Sequence, residues 1–261
     1  MSYRRILVVV CGNLHHGKDT LADALKELIP DSIRDAFAAP LKMCVHLKTG
    51  VPLEWLNDPT KKDDPKWGVY GQTLRKLMQD EGEEARQRIS LTVWSDRAVD
   101  RHEQGQARVR IISDGRHPDQ EIVAVKERVS KDTLVVAVRV KRPGYPIKRG
   151  HPSEDKIADA PDSSFDVNTL NDGTREEFIA TKAQQLADYI YLWALTGKRL
   201  KAGWIVRCPN GARQRWAHAE KSDASVLAVA PGRSSNPCTD CGTNGAHKVE
   251  PANFDGLLTS G

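Results

Sequence analysis

The chain has 261 residues, of which 28% are charged and 39% hydrophobic, and its formal net charge is +4. This length can bury a sizeable core, and it predicts one α/β domain with a smaller C-terminal appendage. No run of about 18 apolar residues is present, so we expect no membrane-spanning helix and no membrane partner.

The positive charge is concentrated near the C-terminus. Residues 197–261 hold nine Lys or Arg and five Asp or Glu, whereas residues 1–196 hold thirty of each kind. A basic surface for nucleic acid is therefore not indicated in residues 1–196. The five cysteines do not suggest a secreted disulfide framework, and the chain runs directly into a predicted strand without a signal peptide. We therefore expect a cytoplasmic protein.

The first 25 residues contain the clearest motif. Residues 6–10 predict a buried parallel strand, and residues 20–29 predict an amphipathic helix that ends before Pro30. Between them the chain reads Gly12-Asn13-Leu14-His15-His16-Gly17-Lys18-Asp19-Thr20. A strand, a glycine-rich turn and a helix in this order are typical of a phosphate-binding P-loop, because backbone N–H groups and the helix N-terminus converge on one anion. The predicted ATP-binding residues are Gly12, Asn13, Gly17, Lys18, Asp19 and Thr20.

The residue after the lysine departs from the usual P-loop pattern. That position is normally Ser or Thr, whose hydroxyl binds Mg²⁺, and here it is Asp19 with Thr20 next to it. The pattern therefore predicts Mg²⁺ with the nucleotide but leaves the protein ligand of the metal open. A simpler alternative is that Gly12 and Gly17 only shape a tight strand-to-helix turn.

The remaining elements are predicted in chain order from hydrophobic periodicity and turn residues. Up to residue 102 we expect a short strand or the end of a strand at 35–40, a helix at 41–48 begun by Pro40, and a surface loop at 50–70. Helices are expected at 71–88 and 89–102, with Gly82 as a bend or break and Ile89 in the core. After that we expect a strand at 109–113, a helix at 118–128, a strand at 133–140, a polar segment at 144–162, a strand at 165–167 and a long helix capped by Thr174.

This alternation of strands and helices predicts a doubly wound parallel sheet flanked by helices. In such sheets, ligands bind outside the carboxyl ends of the strands. Asp114 and Arg116 follow one predicted strand, and Arg139 and Arg142 lie at the end of another. Both groups are therefore expected beside the P-loop.

Short motifs spread over residues 5–195 resemble those of the deoxynucleoside monophosphate kinases of bacteriophages. The matching pieces are Gly17-Lys18-Asp19-Thr20 with Ala22-Asp23, Phe37-Ala38-Ala39-Pro40-Leu41-Lys42, Thr73-Leu74-Arg75-Lys76-Leu77-Met78-Gln79, Asp114-Gly115-Arg116-His117-Pro118-Asp119-Gln120-Glu121, His151-Pro152-Ser153-Glu154 and Asn171-Asp172-Gly173-Thr174. They occur in the order of that family. The Lys-Asp pair in place of Lys-Ser or Lys-Thr is also similar to the family.

The resemblance implies a P-loop kinase fold and transfer of the ATP γ-phosphoryl group to a deoxynucleoside monophosphate, which yields the diphosphate for DNA precursor synthesis. It implies the cytoplasm of a host cell if the chain is phage-encoded, and it allows a homodimer. Because phosphoryl transfer needs positioning and positive charge, the catalytic candidates are Lys18, Arg116, Arg139 and Arg142. The substrate-binding candidates are Phe37, Lys42, Arg75, Asp114, Arg116, His151, Ser153 and Glu154. We take residues 144–162 as a lid that excludes water.

Several of these residues also have a structural alternative. Arg75 fits a solvated position on a helix, and Arg116 fits an ion pair with Asp114. Asp114 itself fits a magnesium ligand, a contact to the acceptor sugar or a partner of Arg116. Residues 139–142 fit a solvated run of charge, and residues 151–154 fit a polar turn.

Residues 197–261 are expected to form a linker and a zinc-ribbon-like module. Cys238 and Cys241 are spaced as one metal-binding knuckle, and Cys208 begins an incomplete second one. His218 is preferred as the fourth ligand over His247. The alternative is a module without metal. Because the predicted site residues lie upstream, deletion of residues 198–261 is expected to leave kinase activity largely in place.

If Cys208, His218, Cys238 and Cys241 bind zinc, the purified protein should carry close to one zinc per chain. Cys238→Ser should release the metal, because three protein ligands do not close a structural zinc site. Elemental analysis of the wild type and of the variant measures this directly. Metal-free wild-type protein would contradict the zinc site.

Two other functions are compatible with the sequence. The first is a nucleic-acid-binding protein in which the basic C-terminal part, with Trp204 and Trp216, contacts DNA or RNA. The second is a P-loop kinase for another small molecule, such as a dephospho-coenzyme A or phosphomevalonate kinase. Residues 1–196 show no basic stripe and no helicase signature, which favours the nucleoside monophosphate kinase.

Overall fold

The computed structural model describes residues 5–147, 149–197, 202–207, 214–218 and 248–254. Within them, one sheet has five parallel strands in the order β2-β3-β1-β4-β5. These strands are β1 (Arg5–Cys11), β2 (Ser32–Asp35), β3 (Val109–Gly115), β4 (Thr133–Lys141) and β5 (Val167–Leu170). The predicted α/β class with a parallel sheet flanked by helices is confirmed.

The central strand β1 is buried on both faces. Ile6, Val8 and Val10 face one hydrophobic core, and Leu7, Val9 and Cys11 face the other. This alternation explains why the strand is apolar without interruption, as expected when helices cover both faces of a parallel sheet. Because β3 and β4 run parallel to β1, the carboxyl ends of all three strands lie at the same edge of the sheet.

The helices divide between the two faces. The helices in the first part of the chain are α1 (Lys18–Leu28), α2 (Ala38–Thr49), α3 (Leu53–Asn57), α4 (Leu74–Arg88), α5 (Val93–Gln104), α6 (Pro118–Arg128) and α7 (Pro152–Asp159). A last helical run begins with α8 (Arg175–Glu177), continues through the π-helical segment Phe178–Ala183 and ends with α9 (Gln184–Thr196). Helices α1 and α9 cover one face of the sheet, and α2 to α7 contribute to the core on the other. Among the described residues, none of the helices is both long and apolar enough to cross a membrane.

Several predicted boundaries differ from the structure between α2 and α5. Helix α2 begins at Ala38, before Pro40, and the predicted loop at 50–70 contains α3. Helix α4 continues through Gly82, whose missing side chain lets Leu41 of α2 approach: a Cβ there would lie 3.0 Å from Leu41 Cδ1. The prediction that Ile89 is buried is wrong, since it follows the end of α4 and is 72% exposed.

The predictions after β4 are confirmed only in part. The second half of the polar segment 144–162 is the regular helix α7, and the last strand of the parallel sheet begins at Val167, two residues later than predicted. The predicted cap is confirmed: the Thr174 hydroxyl accepts the Glu177 N–H, and the Glu177 carboxylate accepts the Thr174 N–H. This reciprocal pair fixes the start of the last helical run.

A second sheet follows α9. It is antiparallel, in the order β7-β6-β8, and consists of β6 (Ala202–Arg207), β7 (Gln214–His218) and β8 (Lys248–Asn253). Strands β7 and β8 contact α9, and Phe254 is only 1% exposed, with its ring 5.4 Å from that of Tyr189. Helix α9 is accordingly buried on nearly every side. The C-terminal part therefore shares a core with the parallel-sheet domain.

The predicted zinc ligands fall mainly outside the described residues. His218 ends β7, where it pairs with Trp204 of β6, whereas Cys208, Cys238 and Cys241 lie outside the ranges that the structure describes. Within those ranges, no group of three or more His, Cys, Asp or Glu side chains is arranged to hold a metal ion. The zinc site stays a prediction.

Candidate functional site

A cavity of about 1470 Å³ opens at the carboxyl ends of β1, β3, β4 and β5. Among the described residues, nine Lys and Arg side chains line it: Lys18, Arg34, Lys42, Lys62, Arg75, Arg116, Arg142, Arg149 and Arg175. The acidic residues that line it are Asp19, Asp35, Asp114 and Glu154. The walls of the cavity therefore carry an excess of positive charge, which favours an anionic ligand.

The loop between β1 and α1, residues 12–17, needs both of its glycines. Gly17 has a φ of +100°, in the region that favours glycine, and a Cβ there would lie 2.5 Å from Asn171 Nδ2. That amide donates a hydrogen bond to the His16 carbonyl at 3.1 Å. At Gly12 a Cβ would lie 2.9 Å from the Val140 carbonyl oxygen. The Val140 backbone near the end of β4 and the Asn171 side chain just after β5 therefore fix the shape of this β1–α1 loop.

Lys18 is the first residue of α1 and is only 6% exposed. Its ammonium lies 3.3 Å from Asp19 Oδ2. Burial is the main reason that its pKa is lowered, and the nearby charge of Arg116 lowers it further. Within the described part of the chain, no side chain caps the N-terminus of α1. The first N–H groups of α1 and the Lys18 ammonium thus form a place that an anion can occupy.

Asp19 and Thr20 offer oxygen ligands at the same end of α1. The Asp19 carboxylate is 59% exposed and lies 2.5 Å from the Arg34 guanidinium. Thr20 lines the cavity. Carboxylate and hydroxyl oxygens suit Mg²⁺, which usually keeps several waters and binds through few protein groups. These residues therefore fit the metal that a nucleotide would bring.

Arg34 was not identified from the sequence. It lies in the edge strand β2, where its guanidinium also pairs with Asp23 and donates to the Ser113 hydroxyl at 3.1 Å. Because its partners come from α1 and β3, only the folded chain brings it to the cavity. No local motif marks this residue.

Asp114, at the end of β3, caps α2. Its carboxylate accepts the N–H groups of Phe37 at 2.7 Å and Ala38 at 3.0 Å. The proposed ion pair of Asp114 with Arg116 is not formed, since Arg116 pairs with Glu154 instead. Phe37 is buried in the core. Asp114 and Phe37 therefore join β3 to α2 at the cavity wall.

The turn after β3 is held by a second carboxylate. The backbone N–H groups of Arg116 and His117 donate to Glu121 Oε2 at 2.8 and 2.9 Å. Burial raises the pKa of the Glu121 carboxyl and lowers the pKa of the Arg116 guanidinium. Arg116 is thus held by its backbone and projects its charge into the cavity between Lys18 and Glu154.

Helix α7 contacts the β1–α1 loop through Glu154. Its Oε2 accepts the Leu14 N–H at 3.1 Å and the Asn13 side-chain amide at 3.3 Å. At the start of the helix, the His151 ring accepts the Ser153 N–H at 3.2 Å. His151 and Ser153 therefore build the start of α7, and Glu154 connects it to the loop and to Arg116.

The two arginines at the end of β4 have different positions. Arg139 donates to the carbonyl oxygens of Ala160 at 2.6 Å and Ile157 at 2.9 Å, so it caps the C-terminus of α7 and does not line the cavity. This position does not support the catalytic role predicted for Arg139. Arg142 does line the cavity, with its guanidinium 4.9 Å from the centre of the Tyr145 ring.

The basic candidates on α2 and α4 also reach the cavity. Arg75 binds both oxygens of Asp63, at 2.5 and 2.9 Å, so it is an anchored residue and not a freely solvated one. The Lys42 ammonium donates to Asn57 Oδ1 at 2.8 Å. A third cation at this wall, Lys62, was missed because it lies in the segment that the sequence marks only as a polar loop.

A smaller lobe of about 350 Å³ adjoins the main cavity. The two share residues on α2 and α4, at the end of β3 and the turn that follows it, and at the start of α7, namely Ala38, Arg75, Met78, Gln79, Asp114, Arg116, His151 and Ser153. Apolar side chains of Phe37, Leu41 and Trp94 line the lobe together with polar ones such as Gln79 and Glu83. A flat ring with polar edges fits such a lining.

Comparison with protein-family models and with curated protein sequences finds no match for this chain. The assignment of a function therefore rests on the motifs and the geometry described above.

Proposed function

We propose that this chain transfers the γ-phosphoryl group of ATP to a deoxynucleoside monophosphate. One observation carries the proposal: the buried Lys18 lies at the uncapped start of α1, behind a loop with two required glycines, and opens on a basic cavity. At about 1470 Å³, this cavity exceeds the roughly 300–1,000 Å³ of a typical single-ligand site. That size supports two nucleotides bound together.

In this proposal the β1–α1 loop acts as a P-loop and holds the ATP phosphates. Lys18 would contact the outer phosphates, and the oxygens of Asp19 and Thr20 would hold Mg²⁺. The bound metal would neutralise charge on the transferred phosphoryl group. Arg116 and Arg142, which line the same cavity, would supply further positive charge there.

The smaller lobe is where we place the base of the acceptor. Its mixture of apolar and polar lining residues suits a nucleobase, and it shares Arg75 and Arg116 with the main cavity. An acceptor seated there would direct its phosphate toward the basic residues of the main cavity. The choice of a deoxynucleotide rests on the resemblance to the phage kinases.

The deciding experiment is transfer of label from γ-labelled ATP to a panel of nucleoside monophosphates, resolved by thin-layer chromatography. We expect labelled diphosphate with at least one deoxynucleoside monophosphate. Label in a non-nucleotide acceptor would instead favour another small-molecule kinase. ATP hydrolysis that depends on added DNA or RNA, without transfer, would favour the nucleic-acid-binding alternative.

Arg116→Lys is expected to lower turnover by about tenfold or more, which is about 1.4 kcal/mol in the activation barrier. The charge is conserved, but a point charge does not replace the planar fork that binds two phosphate oxygens. Steady-state kinetics with each accepted monophosphate measures the effect. Arg128→Lys is the matched control, since Arg128 pairs with Asp96 and Asp100 away from the cavity. Unchanged kinetics for Arg116→Lys would give Arg116 a structural role only.

A further inference from the structure

Lys62 is a further cation at the wall of the main cavity. It lies between α3 and α4, is partly buried and lines the main cavity. Its ammonium has no hydrogen-bond or ion-pair partner within the described part of the chain, whereas Lys42 and Arg75 beside it are held by Asn57 and Asp63. Among the residues that the structure describes, no carboxylate forms an ion pair with the Lys62 ammonium, and Lys62 lines the cavity.

The backbone at Lys62 is anchored on both sides. On one side the ammonium of Lys61 lies 4.4 Å from the ring centre of Trp67 and 5.3 Å from that of Trp55, in a cation–π arrangement. On the other side the Lys62 carbonyl oxygen accepts the Arg75 N–H at 2.9 Å. The position of Lys62 at the cavity wall is thus built into the fold.

The surroundings of Lys62 disfavour the protonated, positively charged form of its side chain. Its pKa is lowered to about 8, first by burial and then by the charges of Lys42 and Arg75, against which Asp19 acts in the opposite direction. A partly buried ammonium next to like charges is unfavourable unless an anion joins it. A bound phosphate would supply that anion, and the ammonium offers three N–H donors to it.

We propose that Lys62, together with Lys42 and Arg75, binds the phosphate group of the acceptor nucleoside monophosphate. This inference rests on the proposed kinase function. It divides the cavity into two anion sites: the donor phosphates lie on the β1–α1 loop with Lys18, and the acceptor phosphate lies at the wall formed by α2, Lys62 and the start of α4. Arg75 also adjoins the smaller lobe, so a base in that lobe and a phosphate on this cluster belong to one acceptor molecule.

Lys62→Gln should raise the KM for the monophosphate by about tenfold or more, because a hydrogen-bonded charge contact to the phosphate is lost. The KM for ATP should change by less than about twofold, since ATP binds at the other site. Lys62→Arg, which keeps the charge, should recover part of the loss. Lys66→Gln is the matched control: Lys66 lies in the same loop but is 69% exposed and does not line the cavity. An unchanged KM for the monophosphate in Lys62→Gln would overturn the proposal.

A second measurement does not depend on turnover. Lysine acetylation by acetic anhydride at pH 8 is mapped by peptide mass spectrometry, with and without inorganic phosphate as the probe. Phosphate should slow the acetylation of Lys62 and leave that of Lys66 unchanged. Equal acetylation of Lys62 in both conditions would overturn the anion site. Protection of Lys62 by phosphate, combined with no transfer to any monophosphate, would support the anion site and overturn the kinase function alone.

Discussion

Replacing Lys18 with alanine is expected to abolish phosphoryl transfer and to leave the fold intact. Lys18 is buried at the start of α1 and lines the cavity. In the first turn of α1 it is the only basic residue, so its ammonium is the positive charge that this turn offers to an anion. Loss of this charge removes electrostatic stabilisation of the transition state, in which negative charge develops on the transferred phosphoryl group. Because a desolvated ammonium is itself costly, its removal should not destabilise the protein.

Single-turnover and steady-state kinetics measure the first effect, and thermal unfolding measures the second. Lys26→Ala is the matched control on the same helix, since Lys26 is exposed and its ammonium pairs with Glu27 on the surface. Lys18→Ala with more than about a tenth of the wild-type kcat, a loss of under about 1.4 kcal/mol, would contradict the P-loop assignment. Such a result would leave the anion site at Lys62 to be judged by its own measurements.

Phe254→Ala is expected to lower the free energy of unfolding by about 3–5 kcal/mol, the usual cost of truncating a fully buried phenylalanine. Phe254 belongs to the same core as α1, β1 and α9, and its ring contacts that of Tyr189. Truncation would leave a cavity where the second sheet meets α9. Urea unfolding followed by fluorescence and circular dichroism measures the change.

Leu170→Ala serves as the control for this variant, because Leu170 is a large hydrophobic residue exposed at the end of β5. A loss of less than about 1 kcal/mol for Phe254→Ala, well below the range expected for core truncation, would show that the C-terminal part is dispensable for stability. Phe254 does not line either cavity. Folded Phe254→Ala protein should therefore keep the turnover of the wild type.

The same contact refines the expectation for the deletion of residues 198–261. The deletion removes Phe254 together with β7 and β8, and it exposes the face of α9 that they cover. We still expect the folded remainder to transfer phosphoryl groups, since the residues of both cavities lie before residue 198. Its free energy of unfolding, however, should fall at least as much as that of Phe254→Ala.

Features that depend on neighbouring residues in the chain could be predicted from the sequence. The apolar run of β1, the glycines around the next loop and the cap at Thr174 each depend on a few consecutive residues. Helix α6 was predicted with its observed bounds, because Pro118 suits the first position of a helix. The carboxyl-end location of Arg116 followed from the parallel order of the strands.

Features that depend on distant partners could not be predicted. Arg139 looks like a free charge in the sequence, but the C-terminus of α7 needs donors for its carbonyl oxygens and takes this side chain. Ile89 fits a helical period, but the helix ends before it. Lys62 becomes notable only because two tryptophans hold its neighbour Lys61 and the Arg75 N–H ties its backbone to α4. Hydrophobic periodicity does not report such long-range contacts.

The π-helical segment Phe178–Ala183 determines the direction in which the side chains of α9 point relative to those before the segment. Each residue of an α-helix turns the side-chain direction by about 100°, and a π-helical turn accommodates one residue more than an α-helical turn. Phe178 at the start of the segment and Trp193 after it contribute to the same core. With one residue fewer, α9 would be rotated by about 100° relative to the parallel sheet, and Tyr189 would turn away from Phe254. A single extra residue thus orients α9 so that it packs on the parallel sheet and on the antiparallel sheet at the same time.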